Sequence, residues 1–400
     1  MTGEKGALSN LRVLDLTRVL AGPFCTMILS DMGAEVIKVE SPGIGDDSRS
    51  YPPFIKGESA YFMNLNRGKK SITLNLKHPE GKGIFLELAK ISDIVVENFR
   101  PGVMEELGIG YETLKIVNPR IIYASISGFG RTGPYKDKPG YDIIGQAMGG
   151  IMSVTGWPGG PPTRTGTAIA DILAGLSAAI GILAAVNARN ITNKGQVVDV
   201  ALVDSVVAAM ETLLQIYLVE GRIPGRIGNR YEFIYPYDAF EAKDGWFVLG
   251  VGNDKIWERL CKLMKEKGVN ANFDGLESNE KRVKNHQRVK EIIQNWVRDF
   301  TTNGITQLLM DYRIPAAPVY SVKDIVNDPH IAEARGMVVK LKHPKLGELN
   351  LTGPHIKLSD TPSCIRSLPP SLGENTEEIL SEYLNLSKDK IKVLQDKGII

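Results

Sequence analysis

LRVLDLTRVLAGPFCTMILSDMGAEVIKVE, residues 11–40, decides the fold. LRVLDL is an apolar run of strand length. GPFCTMILSDMG then sets Phe24, Met27, Ile28 and Met32 at helical spacing, and Gly33 stops the helix. EVIKVE alternates as a second strand. Two strands joined by a helical crossover pair in parallel and with a right-handed connection.

The pattern repeats downstream. HPEGKGIFLELAKIS (78–92) is a helix with Pro79 near its start, and SDIVVEN (92–98) and RIIYASIS (120–127) are strands. PGVMEELG and YETLKIV between them are short helices. KGQVVDVALVDSVVAAMETLLQIYLVEG (194–221) gives a brief strand and a long helix. This alternation predicts an α/β fold, a Rossmann-like large domain with a mostly parallel sheet.

GRIPGRIGNR (221–230) reads as a linker, and the texture changes after it. YDAFEAKDGWFVLGVG (237–252) is a hairpin about Asp244-Gly245. Charged amphipathic helices follow, then a second hairpin in VVKLKHPKLGELNLTG (338–353). The expected division is 1–205 for the first part of the large domain, 206–230 for helix and linker, and 231–330 for a smaller α+β domain. Residues 331–400 form a linker, a hairpin and helices returning to the large domain.

The charge balance, 48 basic against 46 acidic residues, leaves a net +2 and no like-charged block for a nucleic-acid surface. Cys25, Cys261 and Cys364 are far apart and form no CxxC, so neither a zinc site nor any other metal site is expected. The three thiols suit a reducing compartment. MTGEKGALSNLRVLDL carries no signal-like apolar run, and a cytoplasmic location is expected. GFGRTG (128–133) matches GxGxxG after a strand. Pro134 and a loop-like run follow where a dinucleotide fingerprint needs a helix, so NAD is not expected.

One segment stands apart. In TRTGTAIADILAGLSAAIGILAAV (163–186), Asp171 is the only charged residue between Arg164 and Arg189. Ile172–Ala188, 17 uncharged residues rich in Gly, Ala and Ser, is slightly short for a bilayer, and a buried helix rather than a membrane span is expected. Asp171 fits an N-cap. It also fits a nucleophile: the helix dipole keeps a carboxylate ionised, burial pulls the other way, and a poorly hydrated carboxylate in a cleft attacks acyl groups.

VLDLTRVLAGPF (13–24), GAEVIKVE (33–40), NRGKKSITLNLKHPEG (66–81), VVENFRPG (95–102), PRIIYASISGFGRTGP (119–134), GYDIIGQAMGG (140–150) and the Asp171 segment resemble the class III CoA-transferases, the CaiB/BaiF family. GNR (228–230) and PYDAF (236–240) extend the resemblance into the smaller domain. It implies an interlocked homodimer, with acyl-CoA and a free carboxylic acid as substrates. Asp171 takes the place of the family's catalytic aspartate. That residue carries CoA between acids through aspartyl anhydride and aspartyl-CoA thioester intermediates. For CoA binding the resemblance points to Leu74, Asn75, Lys77, Asn98, Phe99, Arg100 and Tyr141, and to Lys138, which lies beside a position that is lysine in formyl-CoA transferase and Pro139 here. Leu20 stands where formyl-CoA transferase has a glutamine, and Ser41 where it has an arginine, which argues against formyl-CoA:oxalate transfer. The racemase branch of the fold pairs its aspartate with a histidine in a GHD segment. Here that segment is Gly140-Tyr141-Asp142, so transfer is favoured over racemisation. VLDLTRVLAGPF and GDDSR (45–49) look most like the succinyl-CoA:dicarboxylate branch. Arg164 and Arg230 are candidates for a second substrate carboxylate.

Overall fold

Strands β1 (Arg12–Asp15), β2 (Glu35–Glu40), β3 (Lys70–Thr73), β4 (Ile94–Glu97), β5 (Ile122–Ser127) and β6 (Val197–Ala201) form one sheet in the order β3-β2-β1-β4-β5-β6. This is the computed structural model of the chain, described over residues 5–400. Every neighbouring pair in the sheet is parallel. Each residue of β4 and β5 is buried, as strands covered on both faces must be.

Alternation along β1 feeds two cores. Val13 packs with helices α1 (Ala21–Asp31) and α4 (Ile169–Thr192) on one face. Leu14 packs on the other face with α2 (Pro79–Lys90), α10 (Thr376–Leu384) and α11 (Lys388–Asp396). The C-terminal helices are thus part of the large unit.

The apolar helix α4 has 24 residues, longer than the uncharged run predicts, and by length and composition it could cross a membrane. Its Ala170, Ala174, Ala178, Ile182 and Ala185 are buried in the α1 core. Small residues permit that approach. A Cβ on Gly175 would lie 2.7 Å from the carbonyl oxygen of Ala21, so α1 and α4 cross backbone to backbone one turn from Asp171.

The chain divides into two compact units. Among the described residues, one comprises 5–151, 164–220 and 329–400, the other 152–163 and 221–328. In the second unit β7 (Tyr237–Ala242) and β8 (Gly245–Gly250) form the expected hairpin, and β9 (Ala316–Pro318) adds a third strand. Trp257, Leu260, Val289, Ile293 and Leu309 close its core. Residues 338–343 and 347–352 pair as the second hairpin, in the first unit.

Candidate active site

The strand order reverses between β1 and β4, and in such sheets ligands bind outside the carboxyl ends at that point. The loops leaving these two strands line a cavity there. Residues 18–21 and 98–101 line a cavity of about 220 Å³ together with Asp171. A larger cavity of about 760 Å³ adjoins it, and Arg18, Phe99, Arg100 and Tyr141 line both.

Asp171 and all eight residues singled out for CoA binding come together here. Leu74, Asn75 and Lys77 line the larger cavity, and Asn98, Lys138 and Asp171 the smaller. Phe99, Arg100 and Tyr141 face both, Tyr141 being 74% exposed. Asn98 is already engaged: its Oδ1 accepts from the Arg18 amide and its Nδ2 donates to the Arg18 carbonyl, each at 2.8 Å. Arg164 lines neither cavity and donates to the Gly166 carbonyl, and Arg230 belongs to the second unit.

Asp171 is not an N-cap. Ala168 holds that position without a side-chain bond, and Asp171 is the third residue of α4. The cap comes from another helix, α3 (Asp142–Met148). Asp142 Oδ1 accepts from the amides of Ala170 (2.9 Å) and Asp171 (3.4 Å). Its Oδ2 accepts from Nε2 of the buried Gln146 (2.7 Å). Gln146 Oε1 accepts in turn from the Thr165 amide (3.0 Å). One turn of α3 therefore fixes both the start of α4 and the loop leading to it.

The Asp171 carboxylate itself accepts no hydrogen bond and forms no ion pair among the described residues. Burial, and then the like charge of Asp142, raise its pKa to about 7. Of the two opposing effects expected from the sequence, burial outweighs the helix dipole. Asp142 takes up the amides that would favour the anion and adds its own negative charge. Asp142→Asn keeps an acceptor and removes that charge. The expected result is an acid limb of kcat/KM that moves below pH 7 yet stays above an ordinary carboxylate's, because burial remains. A pH–rate profile checks it.

GFGRTG opens no helix, since α3 begins only at Asp142. Its first glycine serves packing: a Cβ on Gly128 would lie 2.7 Å from the Cα of Gly140. Both glycines form a wall of the smaller cavity.

The site residues that sequence reasoning missed are Arg18, Asp46, Asp142 and Gln146. Arg18 had a usable signal, since it lies in the loop three residues past the end of a central strand. The other three lie within GDDSR (45–49) and GYDIIGQAMGG (140–150), but their bonds to Val19, Ala170 and Thr165 span 19 to 28 positions, so their roles were not legible there.

The family model for CoA-transferase family III matches residues 8–376. The chain belongs to CoA-transferase family III. The succinyl-CoA:D-citramalate CoA-transferase of Chloroflexus aurantiacus is 39% identical over 395 residues, covering 98% of each chain. The succinyl-CoA:mesaconate CoA-transferase of Haloarcula hispanica is 42% identical over 387 residues, covering 94% of this chain and 96% of that one. A solved CaiB/BaiF family protein from Brucella suis superposes with a TM-score of 0.84 at 36% identity, over 95% of this chain and 100% of that one. This family III CoA-transferase is an enzyme with acyl-CoA as a substrate, and the candidate cavity lies where the strand order reverses.

Proposed function

We propose that this transferase moves CoA from succinyl-CoA to a second dicarboxylic acid, with Asp171 as nucleophile. The observation that carries the reading is the unpartnered Asp171 carboxylate in the cavity at the strand-order reversal.

An Asp171 oxygen attacks the donor's thioester carbonyl, the C–S bond breaks, and a mixed anhydride forms as CoA thiolate leaves. The thiolate attacks the Asp171 carbonyl, breaks the anhydride C–O bond and releases the donor acid, leaving an aspartyl-CoA thioester. The acceptor carboxylate displaces the thiolate to give a second anhydride. The thiolate then takes the acceptor's acyl carbon and frees Asp171. The cycle consumes no proton and keeps the thioester's free energy, provided water stays out.

Leu74, Asn75 and Lys77 in the larger cavity suit the nucleotide end of CoA, and the smaller cavity suits the acyl end. Arg18, Arg100 and Lys138 give that smaller cavity cations for a second carboxylate. Dicarboxylates also appear in the names of the relatives, D-citramalate and mesaconate. Racemisation would need a second base, and neither cavity is lined by a histidine. A homodimer belongs to the same reading: Leu214, Tyr217, Leu218 and Val219 of α6 (Glu211–Glu220) are exposed, an apolar face of the kind partners cover.

With succinyl-CoA as donor, C4 and C5 dicarboxylates are expected to accept CoA at least about 10-fold better in kcat/KM than monocarboxylates of equal length, a gap of one charge-assisted contact. Chromatographic detection of the new thioester checks this. Equal use of both acid classes would defeat the dicarboxylate assignment.

A further inference from the structure

Val19 lines the smaller cavity with φ +67°, a left-handed backbone that a β-branched residue rarely adopts. Such geometry persists only where the surroundings over-determine it. Here they do. The Thr17 amide donates to Asp15 Oδ1 (2.9 Å), and Lys38 Nζ donates to the Thr17 carbonyl (2.8 Å). Asn98 holds both the amide and the carbonyl of Arg18. The Val19 amide donates to Asp46 Oδ1 (3.1 Å). Five consecutive main-chain groups are thus gripped by four side chains, Asp15 from just upstream and three from elsewhere in the fold. Lys38 and Asp46 are fully buried and paired at 2.8 Å, which fixes the Asp46 carboxylate against the turn.

The gripped turn lies where precision matters. Arg18 faces both cavities, and Leu20 and Ala21 continue the wall that includes Asp171. A relaxed Val19, with negative φ, would swing all three. We propose that Asp46 and Asn98 are positioning residues for the transfer reaction, holding the left-handed Thr17–Val19 turn by its backbone so that the reactive cavity keeps its shape. This rests on the reading of the Asp171 cavity as the reactive one.

Glycine adopts φ near +67° without a side-chain penalty. A chain with glycine at position 19 therefore needs the grip less, and this separates positioning from general support. Asn98→Ala and the charge-free pair Lys38→Met/Asp46→Ala are each made with valine and with glycine at position 19. With valine, each is expected to lower kcat about 100-fold, the scale of a 1 Å misplacement, with a smaller change in KM for acyl-CoA. With glycine, each is expected to cost only a few-fold relative to Val19→Gly alone, a coupling between the sites. Equal losses in both backgrounds, losses confined to KM, or unchanged kcat would overturn the proposal. Asn98 is half-buried and uncharged, so its arm decides the matter even if the buried pair cannot be removed without unfolding. Trapping of the acyl label tests Asp171 separately: a label that misses Asp171 defeats the nucleophile reading, whereas the coupling at position 19 reads only the turn.

Discussion

Asp171→Ala is expected to lower kcat/KM for CoA transfer by about 10⁴-fold or more, the scale seen when a covalent nucleophile is deleted. The fold should tolerate the change. Alanine is the best helix former, Asp171 makes no hydrogen bond or ion pair among the described residues, and Asp142 rather than Asp171 caps α4. Stability should respond in a pH-dependent way. Burial and Asp142 raise the folded-state pKa from 3.8 to about 7. The neutral acid is therefore the form that suits the folded state. Its contribution is complete below about pH 4 and is lost as pH rises through about 7. The parent should lose stability across that window, and the alanine variant should lose less. Urea midpoints at pH 5 and pH 8 read the difference. Chemical trapping reads the mechanism: with donor and hydroxylamine, the parent should acquire a hydroxamate at residue 171. A hydroxamate on any other residue, or full turnover by the variant, would remove Asp171 from its role.

Much of this site is legible in the sequence because its signals are local. The βαβ unit at 11–40 shows its strand and helix periods directly, and Asp171 stands out as the one charge in a long apolar window. Sheet order is different. That β1 lies between β2 and β4 is decided by pairing across distant segments, and the cavity exists only because the order reverses there. Residues 152–163 group with 221–328, again a match between segments far apart. The cap of α4 was misread for the same reason: Asp142 is 29 positions upstream of Asp171 and reaches it through the packing of α3. Asn98 presents a subtler case. Its place in the site follows from its position after β4, yet both ends of its amide hold Arg18, 80 positions away. Sequence can name the residue type that a site needs. Which of its atoms are already taken is a property of the folded chain.

The second large effect is expected in stability, beneath the same turn. Lys69 is buried, and its Nζ donates to Asp15 Oδ2 (2.9 Å), Thr26 Oγ1 (2.8 Å), Asn66 Oδ1 (2.8 Å) and the Pro23 carbonyl (3.2 Å). Those acceptors replace its water. Burial pushes the pKa of Asp15 up, but Lys69, Lys38 and the hydroxyls of Thr17 and Thr26 outweigh it and hold the carboxyl well below its usual range. For Lys69 the balance tips the other way: burial lowers its pKa to about 8, against the pull of Asp15. Both shifts are downward, so one favours and the other opposes the charged form, yet both leave the pair ionised at pH 7. Lys69→Met strands a fully buried carboxylate and should cost about 3–5 kcal/mol. Asp15→Asn/Lys69→Met leaves no charge unpaired and should recover most of that loss, because a buried pair is worth much less than the penalty for breaking it. Urea unfolding of the large unit, followed at the first transition, measures both. If the double variant is as unstable as the single, the fold rests on the Lys69 bonds to Pro23, Thr26 and Asn66 rather than on charge pairing. Recovery of stability without recovery of activity would instead show what the pair adds beyond holding the core. Asp15 also accepts from the Thr17 amide, so one carboxylate takes part both in the charge pairing beneath the sheet end and in the turn that borders the candidate cavity.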